Sequence, residues 1–235
     1  MRFDLIALDA DDTLWHNEAY YRQGRTTFNR ILSKYDLTEP DEARLHQIEI
    51  ANLQFYGYGA VGFAFSLAEA AVEFTAGRID SQDLLELLTI SKVIISAEVE
   101  LFEDVENVIE ALSRSHTLML ITKGNELHQA SKVERSGLRE YFEHIEIVAD
   151  KTPGVYAEIL ERVGIPPTHF LMVGNAMRSD IMPVLEIGAN AVYIHNDLTW
   201  DHENADPEDL PAGRFFELEK LKELPQLIDS IERQS

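Results

Sequence analysis

Near the start of the chain, Asp9-Ala10-Asp11-Asp12-Thr13-Leu14 follows the apolar run Leu5-Ile6-Ala7-Leu8. A short apolar run bounded by polar residues reads as a buried strand. In extended chain, residues i and i+2 project to the same side. If the extended path persists, Asp9 and Asp11 present two carboxylates to one point. Such a pair repels, and unless a cation neutralises it one member has a raised pKa. A divalent metal, with covalent chemistry at one aspartate, resolves that repulsion. The plainer alternative is a solvated turn or a cap for the next helix, so the rest of the chain has to decide.

Later strand ends carry compatible groups. Ile121-Thr122-Lys123-Gly124 closes one apolar run, and Asp150-Lys151-Thr152-Pro153 follows another. A further run ends in Val173-Gly174-Asn175-Ala176-Met177-Arg178-Ser179-Asp180. Alone, each has an ordinary explanation: a threonine caps a helix, a lysine is solvated, and Gly-Asn makes a turn. In order along one chain they reinforce one another, because an open α/β sheet binds ligands outside the carboxyl ends of its strands.

The elements that position these groups follow from periodicity. Thr117 to Ile121, His144 to Val148, Phe170 to Val173 and Ala191 to Ile194 read as strands. Glu126 to Ser136, Val155 to Val163 and Asp180 to Glu186 read as helices, with Gly137, Gly164 and Gly188 as stops. Leu218 to Ile231 reads as a final helix interrupted by Pro225. The alternation predicts an α/β fold: a Rossmann-like parallel sheet with helices on both faces. From about Glu18 to Glu98 the rhythm breaks into helical spacing, with about four helices. The expected organisation is an α/β core of residues 1–16 and 98–235 with an all-α insert at 17–97. Asn196 to Pro211 reads as a surface loop.

Composition narrows the function. The chain has 235 residues, 45% of them hydrophobic, which suits one large domain or a core with a smaller insert. Cysteine is absent, so disulfides and thiolate metal sites are excluded and a reducing, cytoplasmic setting fits. No basic segment followed by a long apolar stretch reads as a signal peptide. No apolar run approaches the roughly 18–20 residues of a membrane span. A formal net charge of −22 disfavours nucleic acid and anionic membranes as partners. An anionic substrate then has to be drawn in by local cations. Oligomeric state is not encoded in any feature of the sequence.

In these motifs the chain resembles the haloacid dehalogenase superfamily of hydrolases. The family's first motif resembles Asp9-x-Asp11-x-Thr13 after a strand. Its second is matched by Thr122, its third by Lys151, and its fourth by Gly174, Asn175 and Asp180. The helical insert is similar to the family's cap domain of the type placed between the first two motifs. One departure stands out: Asn175 occupies a position where phosphatase members usually carry a metal-binding Asp. An asparagine offers an amide oxygen but no charge.

The resemblance implies an aspartyl-phosphate mechanism. Asp9 is then the nucleophile, and Asp11 the general acid and later the base. Mg²⁺ is the implied cofactor, bound by Asp9, Asp180 and the backbone carbonyl of Asp11, with Asn175 as a further or outer ligand. Thr122 and Lys151 are the implied phosphate-binding residues, and a small phosphorylated molecule the implied substrate. Asp11 favours phosphate ester hydrolysis over dehalogenation, since a halide leaves without a proton. A phosphomutase, a 2-haloacid dehalogenase and a catalytically silent ligand- or protein-binding member are the alternatives.

The insert should decide specificity. Phe55 to Phe63 interleaves glycines with aromatics. It reads either as a loop carrying rings over a pocket, with Tyr56 and Tyr58 as substrate contacts, or as a helix–helix turn whose aromatics fill the insert's core. Trp15 and His16, just after the first motif, are candidates for lining the entrance. His195, Trp200 and His202 cluster late in the chain and read as a metal site or, more simply, as packed and solvated loop residues.

Overall fold

The computed structural model describes residues 2–205 and 210–233. Part of the Asn196–Pro211 stretch therefore lies outside the described residues. The chain divides into two compact units, Met1–Glu18 with Val99–Ser235, and Ala19–Glu98.

The first unit is a six-stranded sheet. Its strands are β1 (Leu5–Leu8), β2 (Thr117–Lys123), β3 (His144–Val148), β4 (Phe170–Gly174), β5 (Asn190–Ile194) and β6 (Phe215–Leu218). Every pairing is parallel, and the order is β3-β2-β1-β4-β5-β6. Register is set with Leu8 opposite both Leu120 and Val173.

Alternation along the strands builds two cores. On one face, Ile6, Leu8, Leu118, Leu120, Leu171 and Val173 pack with residues of α5 (Val105–Ser113) and α9 (Leu224–Arg233), and with Val133 of α6 (Glu126–Arg135). On the other face, Leu5, Ala7, Met119, Ile121, Phe170 and Met172 meet α7 (Pro153–Val163) and α8 (Met182–Glu186). The expected Rossmann-like fold is thus the observed one. Strand order reverses between β1 and β4, the switch point where such sheets place ligands.

The second unit contains α1 from Ala19 onward (Glu18–Ser33), α2 (Glu42–Tyr56), α3 (Ala60–Phe74) and α4 (Ser81–Ser96). Phe28, Ile31, Leu45, Ile48, Leu67, Ala71, Leu87 and Ile90 form its core. Gly57 (φ 66°) ends α2, and a left-handed stop of this kind favours glycine.

Two expectations need correction. The last expected helix, Leu218 to Ile231, begins later: Phe215–Leu218 is the edge strand β6, and α9 runs from Leu224 with Pro225 in its first turn. Proline interrupts nothing there, because the first-turn N–H groups have no intrahelical acceptor. The expected helix from Asp180 starts at Met177 with one π turn to Ile181 before α8.

Candidate active site

The C-terminal ends of β1 and β4 bring the predicted residues together at the switch point. Asp9 directly follows β1, its N–H donating to Val173 O at 2.9 Å. Lys151 Nζ lies 2.5 Å from Asp9 Oδ1 and 2.7 Å from Asp180 Oδ1. All three are buried. One ammonium thus serves two carboxylates, so the trio is net negative when both are ionised. Burial would lower the lysine, but Asp180 and Asp9 outweigh it and hold its ammonium above the ordinary range. Burial, with Asp9 adding, pushes Asp180 above the ordinary carboxylate range against the pull of Lys151.

Thr13 ties β1 to β4. Its Oγ1 is 2.9 Å from Asp9 Oδ2 and 3.1 Å from Asn175 Oδ1, and it accepts the Asn175 N–H at 3.2 Å. Asn175 Nδ2 donates to Thr199 Oγ1 at 3.0 Å. Asp180 Oδ2 accepts the Ala176 N–H at 3.0 Å, which pins the loop after β4. Gly174 permits this: a Cβ there would fall 2.2 Å from Asp180 Oδ2.

Beyond Ala10, whose carbonyl accepts from Leu14 N at 2.8 Å, the chain turns. Asp11 accepts from Lys132 Nζ at 2.6 Å through each oxygen, from Trp15 Nε1 at 2.6 Å and from Gln129 Nε2 at 3.0 Å. Burial would raise this carboxyl, yet Lys132 and the hydrogen bonds from Lys132, Gln129 and Trp15 hold it below the ordinary range. Asp9 and Asp11 therefore bind different lysines.

Thr122 is buried at the end of β2 and accepts from Gln129 Nε2 at 2.7 Å. That leaves its own O–H to donate elsewhere. Behind Asp180, Ser179 Oγ donates to Glu203 Oε2 at 2.5 Å, and Lys123 Nζ donates to Ser179 Oγ at 2.7 Å and to Glu203. Tyr156 OH donates to Ser179 O at 3.0 Å.

Asp12 caps the start of the next helix. It adopts φ 63°, and its carboxylate accepts the Asn17 and Glu18 N–H groups at 3.0 Å. Burial pushes its pKa up to about 6 against those two bonds.

The remaining candidates have the following surroundings. Trp15 is 1% exposed and lines no entrance; its indole holds Asp11. His16 is half-buried, its ring centroid 4.0 Å from that of Phe102. Tyr56 is exposed and stacks on Phe65 at 5.1 Å, and Phe55 is exposed, so these rings do not fill the insert's core. Phe63 packs against that core, and Tyr58 is half-buried. His195 pairs with Glu217 at 3.7 Å, and Trp200 lies against His202. Among the described residues, no three His, Cys, Asp or Glu side chains group as a metal site.

Gln129 and Lys132 escaped the sequence reading. A signal existed: the buried side of α6 carries His128, Gln129 and Lys132 beside Val133, while Leu127 is exposed. Polar residues at the core-facing spacing of a sheet-covering helix mark a site.

A family model for haloacid dehalogenase-like hydrolases matches residues 3–188. The chain belongs to that family. It is similar to the N-acylneuraminate-9-phosphatase of Rattus norvegicus, 24% identical with 98% of this chain and 96% of that protein covered. It is also similar to the pyrimidine 5'-nucleotidase YjjG of Escherichia coli, 25% identical over 95% of this chain and 98% of that protein. A solved haloacid dehalogenase-like hydrolase from Xanthomonas campestris superposes with a TM-score of 0.87 and 34% identity, covering 99% of this chain and 93% of that one. The protein is therefore a hydrolase of this family, with its fold. No helix among the described residues is long and apolar enough to cross a membrane.

Proposed function

We propose that this hydrolase is a Mg²⁺-dependent phosphatase that cleaves a small phosphorylated metabolite through a phosphorylated Asp9. One observation carries the reading: Asp9 is buried at the end of β1, with one carboxylate oxygen on Thr13 and the other on Lys151. A carboxylate nucleophile has to be ionised and aimed, and those two donors serve both needs. Two relatives whose names are a phosphatase and a nucleotidase support the ester class.

In the first step, Asp9 attacks phosphorus and the bond to the leaving oxygen breaks. Asp11, which Lys132 and its hydrogen bonds hold ionised at rest, takes a proton from solvent before attack and gives it to that oxygen. In the second step, Asp11 takes a proton from water, the water oxygen bonds to phosphorus, and the Asp9–phosphorus link breaks to release phosphate. Thr122 and Lys151 donate to the phosphoryl oxygens, where charge is spread in the transition state. Substrate selection is assigned to the helical unit, with Tyr56 and Tyr58 as its candidate contacts.

The donors fit Mg²⁺. Asp9 and Asp180 share a single ammonium, so a buried negative charge is left over. Magnesium favours oxygen ligands and keeps several waters, so it does not need three acidic side chains. Asp9, Asp180 and the Asp11 backbone carbonyl would hold it, with Asn175 Oδ1 as a further donor. When bound, it neutralises the carboxylates and the incoming phosphate.

Asn175 favours a second reading, a 2-haloacid dehalogenase, because an amide offers a metal less than a carboxylate. Asp11 opposes it, since a halide needs no proton.

Phosphate release from p-nitrophenyl phosphate and a panel of phosphorylated metabolites, with and without Mg²⁺ and beside Asp9→Asn, tests the proposal. Release that requires both Mg²⁺ and Asp9 supports it. No release by folded protein from any ester overturns it.

A further inference from the structure

Lys132 is buried in α6, a position where an ammonium is stable only when paired and hydrogen-bonded. Its Nζ reaches both oxygens of Asp11 at 2.6 Å and Asn17 Oδ1 at 3.2 Å. Gln129 Nε2, on the same face of the helix, lies 3.0 Å from Asp11 Oδ2, 2.7 Å from Thr122 Oγ1 and 2.9 Å from the Lys123 carbonyl, three acceptors within reach of its two N–H groups. Asp11 is therefore joined through one amide to the threonine that would hold the phosphoryl group.

Left alone, an aspartate on a turn samples several side-chain rotamers. Here donors from α6 on one side and the Trp15 indole on the other select one direction. An acid–base group has to lie within hydrogen-bond reach of the proton it moves. A displacement of about 1 Å can lower a rate by about a hundredfold.

We propose that Lys132 is a positioning residue: it sets where the Asp11 side chain points and acts on the reaction only through Asp11. The inference rests on the phosphatase reading of Asp9 and Asp11. A lysine with a merely structural role would neutralise a buried charge and nothing more. The two roles part when Asp11 is removed.

The experiment is a double-mutant cycle in kcat and KM with one phosphate ester that the wild type hydrolyses, using Lys132→Met, Asp11→Asn and the double variant. Circular dichroism checks each fold. Lys132→Gln, which keeps a polar terminus, carries the same cycle where Met at this buried position unfolds the chain. Lys132→Met should lower kcat about tenfold or more, with KM changed by less than about twofold. Lys132→Arg should recover most of that loss. In the Asp11→Asn background, Lys132→Met should change kcat by less than about twofold. An unchanged kcat in Lys132→Met, or an equal loss in both backgrounds, overturns the positioning role alone. A wild type that hydrolyses no ester, or a fully active Asp11→Asn, overturns the underlying reading of Asp11 and this inference with it.

Discussion

Buried charge is handled differently in the two units. In the helical unit neither buried carboxylate, Glu49 or Asp83, shares its cation with a second buried carboxylate. Arg25 Nη2 meets Glu49 at 2.6 Å, while Asp83 takes Lys34 and, at 2.8 Å, the Tyr35 hydroxyl. In the sheet unit Asp9 and Asp180 share Lys151, and Asp12 is buried nearby with no cation in its bonds. The first arrangement balances charge. The second leaves negative charge over at the ends of β1 and β4. Burial of unbalanced charge opposes folding, and such strain accumulates where a ligand is to complete the site. The comparison thus separates ion pairs that hold the protein together from charges that await a partner.

The comparison breaks most sharply at Asp9. Asp9→Asn should reduce turnover by roughly 10⁴-fold or more. Its thermal stability should hold or rise by about 1 kcal/mol, because one of two carboxylates on Lys151 becomes neutral. A large fall in melting temperature would mean that Asp9 is a structural charge like Glu49.

Gly174→Ala comes next. Its Cβ would meet the Asp180 carboxylate, so that side chain or the strand must move. The expected loss is about 2–3 kcal/mol in chemical denaturation, with turnover falling as Asp180 leaves Lys151. Unchanged stability and activity would show that the loop after β4 has room to spare.

In the helical unit, Arg25→Met should lower stability by about 2 kcal/mol, since it leaves Glu49 buried without its cation. The kcat should stay within about twofold of wild type. A larger kinetic effect would remove the distinction between the two units.

The smallest effect is expected at Asn175. Asn175→Asp adds a negative charge beside Asp9 and Asp180, and should tighten apparent Mg²⁺ affinity about tenfold in a titration followed by activity and by melting temperature. Without Mg²⁺ the same variant should melt lower than wild type. No change in either readout would place residue 175 outside the metal's reach.

Much of this was legible in the residues themselves. Short continuous apolar runs located five of the six strands, and 3.6-residue spacing the helical insert, because a central parallel strand is buried on both faces and a helix on one. The edge strand β6 was not legible. Its four residues, Phe215–Leu218, run straight into the apolar spacing of the following helix, and only pairing with β5 distinguishes them. Residue chemistry named Asp9, Thr122, Lys151, Asn175 and Asp180 as a set, since they stand at the ends of successive strands or in the segments that follow them.

Which residues pair was beyond the sequence. Asp9 and Lys151 are 142 positions apart and meet because β1 and the start of α7 lie at the same end of one sheet. Local spacing assigned Asp11 to Asp9's side. Its partners, Lys132 and Gln129, stand 121 and 118 positions away, and spacing does not encode them. The chain by itself determined the kinds of groups at the strand ends and the periods that bury them. Only the tertiary structure decided which cation each carboxylate receives, because a hydrogen bond depends on distances that the fold sets between residues far apart in sequence.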